Sequence, residues 1–119
     1  MAIAISTSFV PYKLILHSGR PVTMEVRIRN NSQEKKLMSI GVDVPPELSL
    51  NASGYAHHKE ERIGEVLPGK EVLVRFLIYP RPTTPPGRYP IILRIMEHEG
   101  TYQLIASESQ KQLVLQVVE

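Results

Sequence analysis

The four histidines of this chain, His17, His57, His58 and His98, are its side chains with the widest range of chemistry. His57 and His58 are adjacent, and His98 lies between Glu97 and Glu99. Zinc in proteins takes three or four ligands, which further hydrogen bonds hold in place. Adjacent side chains on an extended strand point to opposite faces, so Glu97-His98-Glu99 cannot converge on one ion. We therefore expect solvated histidines, no metal site and no cofactor.

The residues needed for nucleophilic or general acid catalysis do not occur in a recognisable arrangement. Asp43 is the only aspartate, and no serine follows the pattern of a nucleophile elbow. Glu60 and Glu61 are neighbours, whereas glycoside hydrolysis needs two carboxyl groups on either side of a substrate. We expect no catalytic residues and no enzymatic activity.

One segment, residues 51–62 (NASGYAHHKEER), has polar and aromatic residues without apolar periodicity and is predicted to be an exposed loop. Tyr55 follows Gly54 there and precedes His57 and His58. An exposed tyrosine is a platform for a sugar, and the histidines are potential metal ligands. This loop gives the alternative function, an accessory domain that binds carbohydrate or metal. Equally, Tyr55 could pack the loop onto the rest of the protein.

Composition limits the classes of partner. The chain has 119 residues, the size of a single domain spanning 1–119, and 14 basic against 12 acidic residues. The basic residues are scattered, so we expect no nucleic-acid binding. No cysteine is present, and no segment approaches the roughly 20 apolar residues of a membrane span, so we expect no membrane insertion. We expect a cytoplasmic protein if the chain is full length, and a cell-surface or secreted one if it is a fragment.

Apolar residues alternate along most of the chain, as in half-buried strands. The alternation is clearest in residues 22–28, 38–44, 71–79 and 88–97, and Leu113, Leu115 and Val117 give a last strand. Shorter strands are predicted around Ile3, on either side of a bend at Pro11, at Leu48–Leu50 and at 63–66. The prolines between 80 and 86 predict a crossover from one sheet to another. Residues 99–110 have no definite assignment.

About seven strands with turn signals and no helical period predict an all-β immunoglobulin-like sandwich of two antiparallel sheets. The absence of crossover helices excludes Rossmann and (β/α)-barrel enzymes. A small closed barrel is the structural alternative.

Several apolar residues fall at positions that should face outward. If Val72, Val74, Phe76 and Ile78 point inward, the alternate positions of this strand point outward, and the next long strand alternates in the same way. The apolar residues at these outward positions are Leu73, Leu77, Tyr79, Ile92 and Met96. Exposed apolar patches usually mark interfaces, so these residues predict docking of a protein partner or a second copy. The alternative is that the N-terminal segment or the 51–62 loop covers them.

The turn residues resemble those of a known group of modules. They include Gly19 before the strand that ends at Asn30-Asn31-Ser32, and the sequences VPPEL at 44–48, IGEVLPGK at 63–70 and PGRY at 86–89. Over residues 10–118 the chain resembles the CARDB-type and alpha-galactosidase-associated sandwich modules of bacteria and archaea. The resemblance implies a non-catalytic structural or protein-interaction module of the adhesion-related type.

Overall fold

The computed structural model describes residues 3–119, which form two stacked β-sheets. Nine strands occur in these residues, together with a single 3₁₀ turn at Leu16–Ser18. Two separate sheets confirm the predicted sandwich and exclude the closed barrel. The part of the chain described has no helix long and apolar enough to cross a membrane.

The strands of the first sheet are β1 (Ile3–Val10), β3 (Val22–Asn30), β5 (Leu48–Ser49) and β7 (Glu71–Pro80). They lie in the order β1-β3-β7-β5, and all of the pairs are antiparallel. The predicted alternation holds here, since Val22, Met24, Val26 and Ile28 are all buried between the sheets.

The strands of the second sheet are β2 (Lys13–Ile15), β4 (Lys36–Asp43), β6 (His58–Val66), β8 (Gly87–His98) and β9 (Ile105–Val118). They lie in the order β2-β9-β8-β4-β6. One pair departs from the predicted antiparallel pattern, because β2 runs parallel to the end of β9. The chain changes sheets at Pro11, which cannot donate a ladder hydrogen bond, and this confirms the predicted split of the first strand.

The apolar core lies between the sheets and includes inward residues of every long strand, although the first half of β6 and the first half of β9 contribute none. Phe76 and Ile78 of β7 and Ile91 and Leu93 of β8 come from opposite sheets, and all four are buried in this core. Burial of such side chains contributes about 1.5–3 kcal/mol each, and it supplies the main driving force for this cysteine-free chain.

Two sequence predictions need correction. Residues 58–62, predicted to belong to an exposed loop, are the first half of β6, so the strand predicted at 63–66 is longer. The strand was missed because β6 is a sheet edge with charged side chains on both faces, which removes the apolar period. Residues 105–110, part of the unassigned stretch 99–110, belong to β9. They were missed because most of their side chains are exposed and polar.

The predicted crossover is confirmed: β7 ends at Pro80 in one sheet, and β8 begins at Gly87 in the other. At its end the Tyr89 hydroxyl donates to the Pro85 carbonyl, four residues upstream. Immunoglobulin-like sandwiches have a similar tyrosine corner at this position. Desolvation raises the pKa of Tyr89, and the charge of Glu47 adds to the effect.

Tyr89→Phe should lower the free energy of unfolding by about 1 kcal/mol, because it removes this hydrogen bond and keeps the ring packed against the core. Urea unfolding followed by circular dichroism measures the change. Tyr12→Phe is the matched control, since the Tyr12 side chain is exposed. Equal stability of the two variants would show that the corner contributes nothing.

Candidate functional site

The structure gives the three residues of the predicted ligand loop different surroundings. Tyr55 is 76% exposed, with the Arg81 guanidinium 5.8 Å from its ring centroid. His57 is half-buried, and its backbone carbonyl accepts from Val44. His58 is the first residue of β6, so its side chain points away from that of His57. The 51–57 loop therefore does not gather them into one site.

The predicted interface residues lie on two faces of the sandwich. Leu73, Leu77 and Tyr79 belong to β7 in the first sheet, and Ile92 and Met96 belong to β8 in the second. Leu77 is 43% exposed, whereas Leu73, Tyr79 and Ile92 are only partly exposed.

The structure corrects the prediction for Met96. It was predicted to be exposed, but only 7% of it is exposed. Its neighbours along β8 on the same face are Arg94 and His98, and Ser39 lies opposite it on β4. Large side chains on the flanking positions leave little of a methionine accessible, although its position points outward.

The outer face of the second sheet carries a cluster that sequence reasoning missed, formed by Asp43, His58, Glu60 and Arg94 from three adjacent strands. His58 Nδ1 lies 2.6 Å from Asp43 Oδ1, and Arg94 Nη2 donates to Asp43 Oδ2 at 3.0 Å. His58 Nε2 lies 3.7 Å from Glu60 Oε1. The carboxylate of Asp43 is thus shared between a histidine and an arginine.

Gly41 makes this cluster possible. It lies opposite Arg94 on β4, and a Cβ at this position would be 3.4 Å from Arg94 Nη2 and 3.5 Å from Nε. Such contacts are tight, so the bare backbone of Gly41 leaves room for the guanidinium to cross β4 and reach Asp43. Arg94 Nε is buried and has no hydrogen-bond partner within residues 3–119.

A second polar group lies on the same face, at the end where β4 begins. Ser39 Oγ lies 2.6 Å from His98 Nε2, while Nδ1 of the same ring is buried without a partner in the described chain. The turn after β8 places Tyr102 edge-on to His98, and the Arg62 guanidinium lies 4.5 Å from the Tyr102 ring centroid. Arg62, His98 and Tyr102 line one side of a groove of about 870 Å³.

These contacts do not combine into a catalytic triad, because Asp43 pairs with His58 while Ser39 pairs with His98. Ser39 is also buried. No group of three or more histidine, aspartate or glutamate side chains in residues 3–119 is arranged to hold a metal ion.

The side of the sandwich formed by β1 and β9 has unpaired backbone. β9 pairs with β8 from Ile105 to Val117, but on its other side only Gln116–Val118 pair, with the three residues of β2. Ile105 to Leu115 therefore form an open edge. β1 is open on the side away from β3, and its sequence, IAISTSFV, contains no charge.

The other edges have features that discourage strand addition. β6 contains five charged residues (Lys59, Glu60, Glu61, Arg62, Glu65), and β5 has only two residues. Charges and shortness are the usual protections of sheet edges. β1 is eight residues long and uncharged, and the open part of β9 carries only Glu108 on its outer side and Lys111 on its inward side.

A crevice of about 210 Å³ opens on the same side, between Ile3 of β1 and Ser107–Ser109 of β9. The core residues Met38 and Ile95 also line it. Ile5 and Phe9 of β1 and Leu113 of β9 point inward but are only partly buried. The core is thus incompletely covered where the backbone is unpaired.

Comparisons with known proteins point to the fold alone. No family model and no curated protein matches this chain. Among solved structures, a fragment of alpha-2-macroglobulin from Escherichia coli, from domain MG7 to the C-terminus, matches 97% of the chain with a TM-score of 0.70 and 15% identity. The chain spans 16% of that fragment.

Two bacterial proteins of similar size also match. One is self-complemented MyfA, the major subunit of Myf fimbriae from Yersinia enterocolitica, with 98% of this chain and 99% of that one covered, a TM-score of 0.54 and 12% identity. The other is a FixG-related protein from Vibrio parahaemolyticus, with 97% of each chain covered, a TM-score of 0.51 and 11% identity. Together with the two-sheet topology, these likenesses establish the immunoglobulin-like β-sandwich as the fold of this chain.

Proposed function

We propose that this protein is a non-catalytic interaction module of the adhesion-related type, and that it binds an extended segment of a partner protein along the β1/β9 side. The observation that supports this best is the open edge of β9 from Ile105 to Leu115. An extended peptide adds to such an edge through main-chain hydrogen bonds, and its alternate side chains enter pockets for specificity.

The crevice provides a place for such side chains. A strand beside β9 would place alternate residues over the gap between the sheets, where Ile5, Phe9 and Leu113 are only partly covered. With a volume of about 210 Å³, the crevice suits small or medium apolar side chains. We therefore expect the bound segment to alternate apolar and polar residues.

The turn sequences and the structural likenesses are consistent with this function. The chain resembles adhesion-related modules at its turns, and a fimbrial subunit and a macroglobulin fragment share its fold. None of these identifies the partner, so the open edge remains the main support.

The test uses a phage-displayed library of random 12-residue peptides selected on the purified protein. We expect selected peptides to protect amides of β9 between residues 105 and 115 from hydrogen exchange. Ser109→Lys should weaken their binding at least tenfold, because beside Lys111 it adds a second lysine on the inward side of the edge, next to the crevice that the peptide side chains would enter. Gln112→Lys, on the exposed outer face of the same strand, is the control and should bind normally.

No selected peptide, protection confined to another part of the protein, or equal binding by the Ser109→Lys variant would contradict the proposal. Circular dichroism of both lysine variants confirms that any loss of binding is not a loss of fold.

A second candidate function is the binding of a small polar ligand in the groove beside Tyr102. This replaces the 51–62 loop as the location of the alternative function, because the groove is large and the buried His98 Nδ1 lacks a partner in residues 3–119. A thermal-shift screen of mono- and disaccharides tests it. A rise in melting temperature that Tyr102→Ala abolishes would favour carbohydrate binding, and no shift across the set would exclude these sugars as ligands.

A further inference from the structure

The pair formed by His58 and Glu60 has the features of an incomplete metal site. The two residues are separated by one position on β6, so both side chains point to the outer face. Nε2 and Oε1 are 3.7 Å apart, and the side chains are 49% and 57% exposed. A tetrahedral zinc ion holds nitrogen and oxygen ligands about 3.4 Å apart, so a shift of a few tenths of an ångström would let both atoms bind one ion.

The other side of the imidazole is already arranged for metal binding. Nδ1 lies 2.6 Å from Asp43 Oδ1 and 3.1 Å from Arg94 Nη2. The shorter contact is to a carboxylate oxygen, which can only accept, so we assign the proton to Nδ1, and the Nε2 lone pair is then directed outward. Arg94 holds the second Asp43 oxygen at 3.0 Å and fixes the carboxylate in this orientation. Histidines that bind metals almost always donate their other N–H to a carboxylate, carbonyl or water.

Two ligands leave a tetrahedral ion half coordinated, and β6 provides a way to complete it. The strand is the outer edge of its sheet, so the pair is accessible to another molecule from the side as well as from above. A second copy of the chain, related by a two-fold axis, would supply the same pair. The resulting set of two histidines and two glutamates is a ligand set that zinc accepts.

Charge does not oppose the approach of a second copy. On this face Asp43 and Glu60 are matched by Arg94 and Arg62, and Lys59 pairs with Glu61 on the same strand, so no excess of one sign collects at the β6 edge.

We propose that His58 and Glu60 form half of a Zn²⁺ site, that Asp43 positions His58, and that a second copy supplies the other half. Zinc then joins two copies at the β6 edges and leaves the β1/β9 sides free. The site is independent of the proposed peptide binding, because it lies on the opposite edge of the second sheet.

Multi-angle light scattering and isothermal titration calorimetry of the full chain test this proposal. Added ZnCl₂ should double the molar mass, EDTA should reverse the change, and the titration should give one zinc per two chains. His58→Ala and Glu60→Gln should each weaken zinc-dependent association at least tenfold. His17→Ala removes an exposed histidine elsewhere and should behave as wild type.

Asp43→Asn separates a positioning role from a ligand role. It should weaken zinc binding about 10- to 100-fold, the usual effect of losing such a partner, while one zinc per two chains is still bound at saturation. The proposal is overturned by an absence of zinc binding, by one zinc per chain without a change in mass, or by full association of the His58→Ala variant.

Discussion

Asn30→Ala is expected to lower the free energy of unfolding by roughly 3–5 kcal/mol, because it removes a buried amide that makes four hydrogen bonds. Nδ2 donates to the carbonyls of Glu34 and Val66, each at 2.8 Å. Oδ1 accepts from the backbone N–H and the hydroxyl of Ser32. The Asn30 side chain is inaccessible to solvent, so water does not reach the groups left unpaired by its removal unless the structure rearranges.

The position of Asn30 explains the size of the effect. It ends β3 in the first sheet, and its amide reaches Val66 at the end of β6 in the second. Its backbone N–H and carbonyl pair with Lys70 and Gly69 in the next turn. Gly69 has φ of +77°, which glycine adopts without strain. One side chain therefore links two sheets and two turns.

Urea unfolding at 25 °C measures the loss, and Asn31→Ala is the control. Asn31 is exposed and only accepts from the Arg29 side chain, so its replacement should change stability by no more than about 0.5 kcal/mol. If the loss of unfolding free energy in Asn30→Ala exceeded that in Asn31→Ala by less than about 1 kcal/mol, the stability of the turn would not depend on the Asn30 amide.

The Asn30 network also shows how far sequence reasoning extends. The sequence predicts a turn at Asn30-Asn31-Ser32 and another at Leu67–Lys70, and the structure has both. It does not show that they meet, because the residues involved are 36 positions apart. Alternation predicts the inward residues of β3, β4, β7 and β8 for a different reason: each strand has one face on a common core.

The candidate sites were harder to predict. The outward positions of Asp43, Arg94 and His58 follow from parity once each strand is placed. Their convergence depends on the order β8-β4-β6 and on the registers that put Gly41 opposite Arg94 and Asp43 opposite His58. Strand order is set by the whole fold, and the charged strand β6 itself lacked an apolar period. The open edge of β9 likewise depends on β2 being only three residues long.

Leu14→Ala is expected to lower stability by about 2–5 kcal/mol and to strengthen peptide binding at the open edge. Leu14 is the central residue of β2, its side chain is fully buried, and it pairs with Val117 of β9. Three residues of ladder give β2 little stability of its own, so the buried leucine is its main attachment. Its loss should release β2 before the rest of the fold opens.

The two effects have opposite signs because β2 occupies the same edge of β9 that a partner would use. When β2 detaches, the open edge extends from Leu115 to Val118. A peptide selected on the wild-type protein then gains three more residues of possible pairing. Hydrogen exchange should show faster exchange at residues 116–118 in the variant, with the amides between β8 and β4 little changed.

Fluorescence anisotropy with a labelled peptide measures affinity under conditions where urea titration shows the variant to be folded. We expect affinity to rise at least threefold, whereas Tyr12→Ala, an exposed residue next to β2, should change neither stability nor affinity appreciably. If stability and affinity fell together in Leu14→Ala, β2 would be part of the peptide site rather than a competitor for it. Peptide binding at the open edge would then require the intact β2–β9 pair.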